Sequence, residues 1–214
     1  MLGIFTGKKE EYNKLILKSL LFGDKEEKDI AKYIGANSKE RGKKVISIQK
    51  TIRRNNPETQ RNGRLQELSN KEYIEQSGTN PKLWTLTGKG LCVGLTLIKN
   101  IDDVFPYIIP HCKKTINELK PEFKNIIDFP GMRNKTRQKL MSLTIKTMSS
   151  KKFYQSLKTQ TNNMILENVN FDTMTPNTFD LCVMLQTYKK LVERKIKAIG
   201  SHDAAHRRLR GLNI

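Results

Sequence analysis

Two short strand-patterned runs, 73–76 and 83–86, flank the stretch Ser77-Gly78-Thr79-Asn80-Pro81. That stretch is turn-forming by composition, so the spacing predicts a β-hairpin. This hairpin constrains the fold more than any other feature, because the segments around it have helical spacing. Upstream, Tyr12, Leu15, Ile16, Leu20 and Leu21 give one buried helical face over 10–22, which Gly23 ends. Asp24 is then expected to cap a second helix, with Glu27 completing a capping box. Ile30, Ala31 and Ile34 form its buried side, and Gly35 and Asn37 are its expected stop.

Segment 38–55 carries Val45, Ile46, Ile48 and Ile52, a pattern that fits both a strand and a helix. Asn56-Pro57 is a start signal, an N-cap followed by Pro at the first helical position, and predicts a helix over 57–70 burying Leu65 and Leu68. A further helix is expected over 87–100. Beyond Asp102 the chain reads as helical, over 103–119, 121–128, 132–149, 150–168 and 176–199. In the last of these Leu181, Leu185, Tyr188, Val192 and Ile199 make a heptad-like stripe, interrupted by Lys195. The stripe suits a homodimer seam or an intramolecular bundle, and of the two the dimer is expected. The fold class expected is therefore mostly α. An N-terminal unit over 1–100, three or more helices with a two-stranded β-wing, precedes an all-helical dimerisation or interaction domain over 101–214.

The phrases "KDIAKYIG", "GRLQELSNKEYIEQ" and "LWTLTGKGL", in that order, resemble the second helix, the recognition helix with its strand, and the second wing strand of winged helix-turn-helix regulators of the MarR and PadR kinds. The resemblance covers about residues 10–100. It implies a DNA-binding transcriptional regulator with its recognition helix at 57–70. Segment 43–54 is the alternative, since about 20 residues separate the second helix from 57–70 where such domains have a short turn.

Charge agrees with an anionic partner. Lys+Arg is 40 against 21 Asp+Glu, a net charge of +19, and phosphate neutralisation releases counterions. Placement says more than the total. Segment 39–64 holds nine basic and two acidic residues, a net of +7, within a 1–100 region whose net is +9. With Leu65 and Leu68 inward, the opposite face of 57–70 carries Thr59, Gln60, Gly63 and Glu67, flanked by Arg64. Gln60 suits adenine and Arg64 guanine, so Thr59, Gln60 and Arg64 are the expected base contacts. Gly63, placed mid-helix, costs ~1 kcal/mol in propensity. Lys43, Lys44, Arg53, Arg54, Arg61, Lys82 and Lys89 are the expected phosphate contacts. Trp84 is expected to pack the wing onto the core. A second basic stretch, 129–166, has no acid at all and suits phosphate, solvent or an acidic partner.

Cys92, Cys112 and Cys182 are odd in number and widely spaced, which fits reduced thiols and a cytoplasmic protein. No run reaches the ~18 apolar residues of a membrane span. His202 and His206, with His111-Cys112, lack the partners that would complete a metal site. Neither a Walker loop nor a Gly-x-Ser-x-Gly elbow occurs. No cofactor, metal or enzymatic activity is expected. The expected partner is double-stranded DNA, with a protein partner of the C-terminal helices as a further possibility. A winged-helix protein-interaction module and an RNA-binding protein are the alternatives.

Overall fold

The computed structural model describes residues 3–7, 10–39, 42–53, 63–77, 82–109 and 149–173, with isolated helical positions at 134, 135, 138, 142 and 146. It is mostly helical, with one two-stranded antiparallel sheet. Helix α1 (Glu10–Leu20) lies at the centre, touching three helices and the hairpin. Its acidic first turn suits the positive end of the helix dipole. Leu15, Ile16, Leu17 and Leu20 are buried.

Helix α2 (Glu27–Asn37) starts later than an Asp24 cap requires. Its N-cap is Glu26, in extended conformation and without a side-chain hydrogen bond. The reason lies across the fold. Lys25 and Trp84 exchange backbone hydrogen bonds of 3.1 and 2.9 Å, so the chain before the helix runs extended along the hairpin. Gly35 is not a stop either; the helix passes through it. A Cβ there would lie 3.2 Å from Ile48 Cδ1, so its bare backbone lets the next helix come close.

That next helix, α3 (Val45–Arg53), settles the ambiguous segment. Ile48 and Ile52, four apart, are buried against the core. Ile46 points elsewhere and is 66% exposed.

Helix α4 runs only over Arg64–Asn70. The helix expected over 57–70 is therefore not continuous, and residues 54–62 lie outside the described residues. Gly63 is not mid-helix but the extended N-cap. An added Cβ would meet the Arg53 carbonyl carbon at 2.6 Å, so the missing side chain admits the end of α3. Leu65 and Leu68 are buried as expected. The helix closes with a Schellman pattern: Tyr73 N–H donates to the Leu68 carbonyl and Glu72 N–H to that of Ser69. Glu72 occupies the left-handed position usually given to Gly, with φ 59°.

Strands β1 (Ile74–Ser77) and β2 (Leu83–Leu86) pair in the register Ile74↔Leu86 and Ser77↔Leu83. Trp84 is buried, fixing the hairpin to the core. Thr87 then caps helix α5 (Gly88–Thr96): its hydroxyl oxygen accepts from Gly90 N–H and its hydroxyl donates to the Glu72 carbonyl at 2.6 Å. A Cβ at Gly90 would stand 1.8 Å from the Tyr73 carbonyl oxygen, so α5 starts in backbone contact with the strand entry.

Ile101, Val104 and Ile108 continue the core, with 105–109 helical. Helix α6 (Lys151–Leu166) is capped by Ser150 and packs on α5 through Phe153, Tyr154 and Leu157. The core is thus continuous across the 100–103 boundary. The other expected helices, including 176–199, lie largely or wholly outside the described residues.

Gly90→Ala is expected to destabilise the fold by at least ~3 kcal/mol, since the clash is with backbone. Glu72→Gly is expected to stabilise it by about 0.5–1 kcal/mol through relief of the left-handed conformation. Urea unfolding of the two variants checks both signs.

Candidate nucleic-acid interface

Helix α3 has two unlike faces. Val45, Ile48 and Ile52 turn inward, while Ile46, Ser47, Lys50, Thr51 and Arg53 are exposed. No acidic residue occurs between Val45 and Arg53. Lys43 and Lys44, exposed in the turn from α2, extend the basic surface at the start of the helix. Nine residues at 1.5 Å each make a rod of roughly 13 Å, comparable with the width of a DNA major groove.

Beside α3 is a cleft of about 550 Å³. Its lining includes Gln49 and Arg53 of α3, Gln76 and Lys82 of the hairpin, and Glu26 and Glu27 at the start of α2. Glu27 is the organising acid. Its carboxylate accepts from Gln49 Nε2 at 3.2 Å and lies 3.9 Å from Arg53 Nε. The Glu27 side chain is 23% exposed and that of Arg53 is 75% exposed. The carboxylate therefore holds the near end of an arginine whose far side faces solvent. Lys82 is exposed where β2 begins.

The structure places the expected contacts unequally. Lys43, Lys44, Arg53 and Lys82 fall on the α3 and hairpin surface. Thr59, Gln60, Arg54 and Arg61 lie outside the described residues, as do the seam residues Leu181, Leu185, Tyr188, Val192 and Ile199. Arg64 is not presented for base contact. Its side chain is 16% exposed and bonds Glu67 at 3.0 Å. Burial pulls its pKa down, opposed by the Glu67 charge.

Lys89 corrects the phosphate assignment outright, because it is fully buried. Its Nζ donates to the Lys71 carbonyl at 2.8 Å and sits 4.4 Å from the centre of the Tyr73 ring. Desolvation lowers its pKa. The group around it is internal. Tyr73 donates its hydroxyl to Asp172 at 2.9 Å, and Lys71 pairs with the same carboxylate at 2.8 Å. Burial, then the Asp172 charge, pushes the Tyr73 phenol well above its usual range.

The 129–166 stretch is likewise partly committed. Lys158 donates to the Ile98 and Lys99 carbonyls beyond the end of α5, and Lys151 pairs with Asp102. Lys152, Lys135 and Lys146 are exposed. Cys92 is a buried thiol. Among the described residues no three His, Cys, Asp or Glu side chains form a metal-binding group, and no helix is long and apolar enough to cross a membrane.

Sequence reasoning missed Ile46, Gln49, Lys50 and Glu27 as members of one surface. The available signal was Ile46 standing off the 45, 48, 52 register of an otherwise inward-facing set. No protein-family model, curated protein or solved structure matches the chain.

Lys89 generates a pH signature. Its folded pKa is depressed, so the folded state carries a cost for the charged amine at neutral pH. That cost fades as pH rises through the folded pKa towards the unfolded value of 10.5. The stability of the native chain relative to a Lys89→Met variant is expected to increase from pH 7 to pH 10, as read by paired urea titrations.

Proposed function

We propose that the chain is a DNA-binding regulator that acts by occupying a duplex site. In this reading α1, the Lys25 segment, α2, α3 and the β1–β2 hairpin form a winged helix. Helix α3 enters the major groove and the hairpin lies on the adjacent backbone. The recognition helix is then the 45–53 segment, not 57–70. The chain is read as cytoplasmic and non-enzymatic. The C-terminal part of the chain supplies dimerisation, with the 181–199 stripe as the seam and two half-sites gaining affinity from their linkage.

One observation carries the reading. The exposed face of α3 is free of acids and bears Lys50 and Arg53, with Lys43 and Lys44 at its start and Lys82 across the cleft. Some cations elsewhere are drawn inward, Lys71, Lys89 and Lys158 all serving protein groups, while others such as Lys28, Lys32 and Lys152 are exposed. A surface that keeps its cations outward while the interior consumes others suits an anionic polymer. Polar side chains for base edges accompany them, with Gln49 held by Glu27 and Ser47 exposed.

Lys50→Ala with Arg53→Ala is expected to weaken binding to all duplexes. The slope of log affinity against log salt should fall by about 0.9 for each phosphate contact removed. Gel-shift titrations at several salt concentrations measure it; an unchanged slope removes these two residues from the interface.

A further inference from the structure

Ile46 stands out against the surface around it. It is the second residue of α3, and 66% of it is exposed. Most large apolar side chains described here are buried, so this one forgoes burial worth keeping. Its surroundings do not compensate. One and four residues on come Ser47 and Lys50, both exposed, and Lys44 precedes the helix. Lys50 and Arg53 stand at i+4 and i+7, on the same stripe of the helix.

A single isoleucine ringed by cations is too small for a stable protein interface, which buries about 800 Å² on each side. The same ring suits a groove between two phosphate strands. Within a major groove only one base-pair feature is apolar: the thymine 5-methyl group. It is also the feature that distinguishes thymine from uracil.

We propose that Ile46 is a specificity-determining residue that packs on a thymine methyl group, making α3 a reader of DNA at a position where thymine is required. The inference rests on the winged-helix reading above and deepens it. The early turns of a recognition helix reach base edges, and Ile46 is in the first turn of α3. Lys50 and Arg53 hold the neighbouring backbone or guanine edges, while Gln49 is kept by Glu27 on the cleft side.

The test uses the full chain and duplexes selected from a random-sequence library. In each selected duplex the thymines are replaced one at a time by deoxyuridine, which removes the methyl group alone. At one position per half-site the native chain is expected to bind about fourfold more weakly, the worth of one buried methyl group. Ile46→Ala, an exposed change that leaves the core intact, is expected to bind both forms equally at that position. Ile46→Val should keep most of the discrimination. Duplex binding with no thymine-to-deoxyuridine position above twofold overturns the assignment of Ile46 while leaving the regulator reading standing. So does an Ile46→Ala variant that keeps the native ratio. Failure to retain any duplex at low salt, or equal retention of the uracil-bearing RNA duplex, overturns both.

Discussion

Tyr73 is the point on which the arrangement depends. Its N–H closes α4, its carbonyl accepts from Thr87 N–H and faces the bare Cα of Gly90, and its hydroxyl bonds Asp172. Its ring lies beneath the Lys89 ammonium. One residue thus joins α4, the hairpin, α5 and the turn after α6. The consequence propagates. A hairpin fixed at its base fixes Trp84, Trp84 pairs with Lys25, and the extended Lys25 segment sets where α2 starts. Since α3 packs on α2 through Gly35 and Ile48, and its end lies against Gly63 at the start of α4, the elements that orient the outward face of α3 meet at this junction.

Cations divide by the same logic. A lysine is a long apolar stem with a charged tip, and the stem is welcome in a core if the tip finds an acceptor. Lys89 finds the Lys71 carbonyl, and Lys158 finds two carbonyls beyond the last turn of α5. There it also opposes the negative end of that helix dipole. Arg64 finds Glu67. These residues are positive in the sequence but are spent on structure. Lys50 and Arg53 stay at the surface of α3. Helical position alone treats the two classes alike, which is why Arg64, beside the expected outward face of 57–70, and Lys89, at the start of the next helix, read as ligand contacts.

What the sequence could convey follows the range of the interaction. Helices α1 and α6 were legible within two residues of their ends, because helical patterning is a local signal. The hairpin was legible for the same reason, its turn residues and paired runs being contiguous. Illegible were features decided by distant partners. Nothing near Lys25 announces Trp84, nothing near Gly63 announces the end of α3, and nothing near Tyr73 announces Asp172. The 45–53 segment failed differently: five β-branched residues in eight blurred the period, and only burial of Ile48 and Ile52 with exposure of Ile46 separates its faces.

Glu27 shows how the proposed interface avoids a cost of its own making. A carboxylate facing a groove meant for phosphates opposes binding unless its charge is met. Here it is met twice, by a hydrogen bond from Gln49 and by the nearby Arg53. Holding Gln49 reduces the rotamer freedom that base contact would otherwise have to remove. Arg53 is the looser partner, at 3.9 Å and largely exposed, so it can reach outward at little loss. In the proposed interface the α2 terminus would thereby shape the reading surface without touching the DNA. Glu27 stands in the first turn of that helix, directly after the Lys25–Trp84 bridge.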